Sequence, residues 1–186
     1  HKAIYFAKNS KIDISFQNFK DLRDKESIKN EDKIILDKFI DGFKNDKNNL
    51  ILTPQEIFYC SKIIDIEKKI KYLIFRYKFK NYPENKILTD FPMHVLFEPT
   101  SICNLRCVMC YQSDKSFTGD NVKVNSNKKM MGHMSLELFK DSIDECDQEG
   151  AEAISIGSRG EPMLNAKFND MLDHLSTKKN FFDIKI

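Results

Sequence analysis

The chain has 186 residues, enough for one sizeable domain or two small ones. Its net charge is only +2 although 31% of the residues are charged, so the pattern does not indicate a nucleic-acid groove of one sign. No apolar run approaches the roughly 20 residues that a membrane span needs, and the start lacks the apolar core of a signal peptide. We therefore expect a cytoplasmic protein without a membrane partner. Because the sequence starts at His1, we also expect that this is not the natural start.

Residues 1 to 90 are rich in Lys, Asn and Asp, and Gly42 is their only glycine. An apolar alternation at residues 11–16 weakly predicts a strand. Helical spacing predicts a short helix over residues 31–44, with Leu36, Phe39, Ile40 and Phe43 on its apolar side. Thr53, Pro54 and Glu56 form a capping box that begins another helix, predicted to continue to about Lys80 and to end at residues 81–83.

This N-terminal region, residues 1–90, is thus predicted to be mostly helical and to form a domain of unknown role. No catalytic constellation is evident in its sequence. Apolar stripes of this kind more often form a core than a cofactor site, although a helical lid or a module that docks a partner protein is an alternative.

From Phe91 onward the pattern alternates between strands and helices. A short apolar run at residues 93–97 predicts a buried parallel strand. Ser135 and Gly150 predict the two ends of a helix, residues 153–157 a second strand, residues 168–175 a second helix and residues 181–186 a third strand. The predicted order is βαβαβ, which defines a second region of α/β class over residues 91–186.

Three cysteines follow the first predicted strand: Cys103, Cys107 and Cys110, spaced as C-x3-C-x2-C. Three thiols within eight residues are most simply explained as ligands of one metal or cluster. Structural zinc and ordinary four-iron clusters take four ligands. Three thiolates would hold a [4Fe-4S] cluster at three corners and leave one iron open for a substrate or cofactor.

This spacing, after a strand and before a long polar segment at residues 111–133, resembles the signature of the radical S-adenosylmethionine (radical SAM) enzymes. A second motif supports the resemblance, because Gly160-Glu161-Pro162 follows the second predicted strand as the family's glycine-glutamate-proline motif does. The resemblance covers roughly residues 92 to 186. The sequence after Cys110 looks most similar to members with C-terminal auxiliary-cluster (SPASM) domains, many of which modify peptides.

The resemblance implies the first half of a (β/α)6 partial barrel, truncated at the C-terminus. It also implies that Cys103, Cys107 and Cys110 bind a [4Fe-4S] cluster whose fourth iron is chelated by S-adenosylmethionine. Reductive cleavage of that cofactor gives a 5′-deoxyadenosyl radical, which abstracts hydrogen from a substrate, here unknown or a peptide. A reductant protein such as flavodoxin or ferredoxin is implied as a partner.

Three further residues are implied to contact S-adenosylmethionine. Gly160 and Glu161 match positions that meet the amino group of its methionine part. Met109 stands where the family often has an aromatic residue near the adenine, so its alternative is a packing role. Arg159 departs from a glycine that is common in the family, and its alternatives are contact with a carboxylate or a solvated turn.

Two other classes of protein remain open at this point. A zinc-stabilised interaction module would recruit His94 or His133 as a fourth ligand, and a non-catalytic iron-sulfur electron carrier would bind a cluster without S-adenosylmethionine. A disulfide framework is not favoured, because the cysteine count is five and no secretory segment is evident. Cys60 and Cys146 lie in helical patterns and are predicted to be buried or semi-buried thiols.

Overall fold

A computed structural model describes residues 12–45, 50–111 and 132–186, without the side chains of residues 43 and 45. The chain divides into two compact units, His1–Leu88 and Thr89–Ile186. Most of the long polar segment predicted at residues 111–133 lies outside the described residues, as does Lys11 at the start of the weakly predicted strand.

The first unit is helical within its described residues. Its helices are α1 (Phe16–Arg23), α2 (Asn30–Asn45), α3 (Pro54–Lys62) and α4 (Ile66–Asn85). The prediction of a strand at residues 11–16 is wrong for the described part, since Ser15 instead caps α1 through a capping box with Asn18. The predicted helix at residues 31–44 is confirmed as α2, where Leu36, Phe39 and Ile40 are buried.

The start of α3 is confirmed, because Thr53 accepts from the Glu56 amide while the Glu56 carboxylate accepts from Thr53. Its predicted extension to Lys80 is wrong. The backbone becomes extended at Ile63, and the Asp65 side chain accepts from the Lys68 amide and so begins a separate helix, α4.

Helix α4 also continues past the predicted stop at residues 81–83, with Pro83 inside its last turn. The Asn81 side-chain amide donates to Tyr77 O within the last turns, and Ile87 N donates to Tyr82 O beyond the end of the helix. Lys86 then ends the helix in the left-handed conformation. No helix in the described parts of the chain combines the length and apolarity that crossing a membrane requires.

The second unit contains a three-stranded parallel sheet in the order β1-β2-β3. Its described elements are β1 (His94–Phe97), α5 (Leu136–Glu149), β2 (Ala153–Ile156), a 3-10 turn (Pro162–Leu164), α6 (Phe168–Ser176) and β3 (Asp183–Lys185). Val95 pairs with Ile154, and Ile154 pairs with Ile184. The predicted βαβαβ order is therefore confirmed, with each strand shorter than predicted.

One face of this sheet forms the core with α5 and α6. The buried side chains include Phe97, Phe139, Ile143, Ile154, Ile156, Phe168, Met171 and Leu175. The ends of α5 are those predicted, because Ser135 Oγ accepts from the Leu138 amide and Gly150 adopts a positive φ of 91°. This packing fixes where β1 and β2 end, which is where the predicted site residues begin.

Candidate metal centre

The segment that carries the cysteines leaves β1 through a short paired neck, which we define as residues 99–101 together with residues 132–134. Met134 N donates to Pro99 O at 2.9 Å, and Ser101 N donates to Gly132 O at 3.0 Å. An antiparallel bridge joins Thr100 to His133. The neck therefore brings together two chain positions more than thirty residues apart.

Thr100 lies at the centre of the neck and is buried. Its hydroxyl donates to Gly132 O at 3.1 Å and accepts from Ile102 N at 3.0 Å. A threonine hydroxyl that accepts from the amide two residues later forms a local turn. This turn directs the chain from β1 into Cys103.

The three cysteines follow this turn and form no disulfide. Cys107 is exposed, whereas Cys103 and Cys110 are half-buried. Leu105 N lies 3.4 Å from Cys103 Sγ as a donor, and Cys110 N donates to Cys107 O at 2.9 Å. Arg106 donates to the carbonyls of Cys103 and Leu105.

Within the described ranges, no three His, Cys, Asp or Glu side chains are gathered closely enough to hold a metal ion. The donor set nevertheless fits an iron-sulfur cluster in its chemistry, since three accessible thiols and a backbone N–H directed at sulfur are what thiolate ligation uses. His94 is occupied elsewhere, because its Nε2 lies 2.8 Å from Ser155 Oγ across the sheet. His133 lies in the neck, bridged to Thr100.

Gly160 packs its backbone directly against the neck. A Cβ at this position would lie 2.0 Å from Thr100 O, closer than non-bonded atoms can approach, and 3.0 Å from Ile102 O, a tight contact. Only glycine leaves the chain this space. Gly160 was predicted to approach a cofactor through its backbone. In the described structure its backbone closely approaches the turn that precedes Cys103.

Glu161 continues the same contact. Its amide donates to Ile102 O at 2.9 Å, next to Cys103 in the chain. Its half-buried carboxylate accepts from Met163 N at 3.3 Å and so caps the 3-10 turn. The two predicted motifs are therefore joined through backbone contacts of Gly160 and Glu161.

Met109 takes no part in the contacts of Gly160 and Glu161 described above. Its side chain is 85% exposed, so the described part of the chain gives it no packing role of the kind considered as its alternative. A contact between Met109 and adenine stays a prediction.

Arg159 and Glu98 form an ion pair that the sequence only partly indicated. Arg159 Nε and Nη2 donate to the two Glu98 oxygens at 2.8 and 2.7 Å, and Arg159 N donates to Oε1 at 3.1 Å. The pKa of Glu98 is lowered, because the hydrogen bonds from Arg159 outweigh the partial burial of the carboxylate, which on its own would raise the pKa. The Arg159 side chain also contacts Tyr111, the residue after Cys110. Of the two alternatives considered for Arg159, contact with a carboxylate is made here by Glu98 of the same chain.

Asn165 is a further residue of the site that the sequence did not reveal. It is only 5% exposed and donates to Pro99 O at 2.7 Å and Met134 O at 3.0 Å. Its position ahead of α6 is typical of an ordinary turn or capping residue, and its partners lie 66 and 31 positions away. No local pattern could have identified them.

Comparison with curated proteins finds the antilisterial bacteriocin subtilosin biosynthesis protein AlbA of Bacillus subtilis (strain 168). The chain is 30% identical to it over 87 residues, which are 47% of this chain and 16% of that protein. The aligned part is thus a small fraction of the relative's length. No model of a known protein family matches the chain, and no solved structure matches it. The similarity indicates a distant relationship over less than half of the chain.

Proposed function

We propose that this chain carries the N-terminal part of a radical SAM enzyme core, with Cys103, Cys107 and Cys110 as the ligands of a [4Fe-4S] cluster. When bound, the cluster and S-adenosylmethionine would supply a 5′-deoxyadenosyl radical for hydrogen abstraction from a substrate. A (β/α)6 partial barrel and a flavodoxin or ferredoxin as the reductant partner belong to the same proposal.

One observation carries the proposal above all others. The cysteine motif after β1 and the glycine-glutamate-proline motif after β2 meet through Gly160 and Glu161, whose backbone packs on Thr100 and Ile102. β1 and β2 are adjacent and parallel, so both motifs begin at the carboxyl-terminal end of the sheet. Carboxyl ends of parallel strands are where α/β folds bind cofactors.

In this proposal the chain's own residues bind and orient the cluster and S-adenosylmethionine. The three thiolates hold the cluster, while Gly160 and Glu161 offer backbone carbonyls and a carboxylate to the ammonium group of S-adenosylmethionine. Met109 offers a thioether to the adenine, since sulfur makes favourable contacts with aromatic rings. Hydrogen bonds to the ligand sulfurs, such as the one from Leu105, adjust the cluster potential.

A peptide is the substrate class that we propose. The relative acts in the biosynthesis of subtilosin, a bacteriocin, and bacteriocins are bacterial peptides or proteins. The resemblance to members with SPASM domains, taken from the sequence around Cys110, points to the same class of substrate.

The test is anaerobic reconstitution of the chain with iron and sulfide, followed by electron paramagnetic resonance of the reduced protein with and without S-adenosylmethionine. We expect a four-iron signal that changes when the cofactor is added. Alanine at any one of the three loop cysteines should abolish the signal, whereas Cys60→Ala, a change in the other unit, should preserve it. Stoichiometric zinc, or a cluster indifferent to S-adenosylmethionine, would favour the interaction module or the electron carrier instead.

A further inference from the structure

Asn165 uses its buried side-chain amide to join three separate segments of the second unit. One N–H donates to Pro99 O, the other donates to Met134 O, and Oδ1 accepts from Lys167 N at 2.8 Å. A primary amide has two N–H donors, so both are satisfied by the protein itself. Buried polar groups so fully engaged fix local geometry, because no water can replace a lost partner.

The two carbonyls that Asn165 holds belong to the two opposed segments of the neck, at the end nearest β1. Pro99 O already accepts from Met134 N, and the Asn165 amide adds a second donor at 2.7 Å. All three loop cysteines lie between Pro99 and Met134 in the sequence. Asn165 is therefore placed to hold the base of the whole segment that carries the thiols.

The same residue is attached to the second motif. Asn165 N donates to Pro162 O at 3.0 Å, at the end of the 3-10 turn that begins after Glu161. Its side chain thus returns to the neck from the segment whose Gly160 and Glu161 already touch Thr100 and Ile102. These are two separate attachments of that segment to the base of the cysteine loop.

We propose that Asn165 is a positioning residue for the metal centre, which fixes the neck of the cysteine loop against the segment Gly160–Glu161. The role at the metal rests on the function proposed above, whereas the closure of the neck is a property of the protein without metal. Asn165 acts through the backbone of Pro99 and Met134 and itself reaches neither the cluster nor S-adenosylmethionine in this role.

Asn165 also has a local role, from which the proposed one must be separated. Its Oδ1 accepts from Lys167 N and its carbonyl oxygen accepts from Phe168 N at 2.9 Å, both at the start of α6. Asn165→Asp retains an oxygen for the Lys167 amide but removes both N–H donors. It therefore leaves the helix start in place and presents an acceptor to two carbonyl oxygens.

The experiment compares the full chain with Asn165→Asp, and with Asn165→Ser as a second variant whose short hydroxyl cannot bridge both carbonyls. Leu175→Ala is the matched control, because Leu175 lies buried in the core of α6 and makes no contact with the neck among those described above. Backbone hydrogen exchange of peptides containing Ser101 and Met134 is measured in the metal-free protein. The reduced-cluster spectrum and its response to S-adenosylmethionine are then measured after reconstitution.

We expect exchange in the neck to accelerate about tenfold in the Asn165 variants, the scale expected for the loss of a net hydrogen bond. The cluster spectrum should broaden and its response to S-adenosylmethionine should weaken, while Leu175→Ala loses global stability but keeps the wild-type spectrum. Unchanged exchange and spectra in the variants would overturn the proposal, as would equal spectral changes in Leu175→Ala. If the wild type binds no cluster, the proposed function fails, and the exchange data alone decide whether Asn165 closes the neck.

Discussion

Arg159 joins the carboxyl ends of β1 and β2 through a bidentate ion pair with Glu98. The backbone amide of Arg159 adds a third hydrogen bond to the same carboxylate. Glu98 directly follows β1, and Arg159 lies three residues beyond β2. Because Arg159 also contacts Tyr111, the pair connects the sheet with the residue that follows Cys110. Arg159, which stands where the family that the sequence resembles commonly has glycine, thus supplies a contact of its own.

We predict that the coupling free energy between Glu98 and Arg159 depends on the planar, bidentate guanidinium group. Arg159→Lys should lose most of the coupling, because an ammonium group cannot donate to both carboxylate oxygens in the same planar arrangement. The Arg159 side chain is 62% exposed, so the loss of stability should be small. A double-mutant cycle with Glu98→Gln, read by urea unfolding, measures the coupling. Additive effects of the two changes would contradict the prediction.

Glu98 should also contribute a pH-dependent part of the stability. Its pKa is lowered in the folded protein, first by hydrogen bonding from Arg159. A group with a lowered folded pKa stabilises at pH values above its unfolded pKa, and this stabilisation is lost as the pH falls through the folded pKa. The difference in unfolding free energy between wild type and Glu98→Gln should therefore be greatest near neutral pH and diminish below about pH 4.5. A difference independent of pH between 7 and the acid limit would argue against the ion pair in solution.

Gly160 and Gly132 allow a matched test of the contact between the two motifs. A methyl group at Gly160 would overlap Thr100 O, whereas one at Gly132 would meet no atom of the described residues within 4 Å. Gly160→Ala should therefore destabilise the protein by about 1–3 kcal/mol, the usual cost of inserting an atom into packed surroundings. Gly132→Ala, which lies in the same neck, should stay close to wild type. Thermal unfolding of the two variants gives the comparison, and equal effects would show that Gly160 does not pack as described.

Features set by adjacent residues were predictable from the sequence, and features set by distant ones were not. Ser135 and Gly150 mark the ends of α5 because a cap is a contact within one turn of helix. Asp65 was overlooked as a cap because it lies within an otherwise helical apolar pattern, which made α3 and α4 look like one helix. The cysteine spacing and the glycine-glutamate-proline motif are likewise local. Asn165 is recognisable only once the fold brings Pro99 and Met134 to it.

Reactivity of the five cysteines should separate them into two groups in the metal-free protein. Burial raises the pKa of Cys60 to about 11. The pKa of Cys146 is also raised, mainly by burial and to a smaller extent by the negative charge of the neighbouring Glu145. At pH 8 only about one Cys60 thiol in a thousand would be a thiolate, which is the reactive form. Cys107 is exposed, and Cys103 and Cys110 are half-buried on the loop.

A brief treatment with iodoacetamide, followed by mass spectrometry of the digested protein, should therefore label the three loop cysteines well before Cys60 and Cys146. Labelling in urea serves as the control, since unfolding should make all five cysteines react at similar rates. Reconstitution with iron and sulfide should then protect the three fast thiols together, because ligation consumes the thiolates. Fast labelling of Cys60 in the folded protein would contradict its burial, and protection of only two loop thiols would contradict a three-cysteine centre.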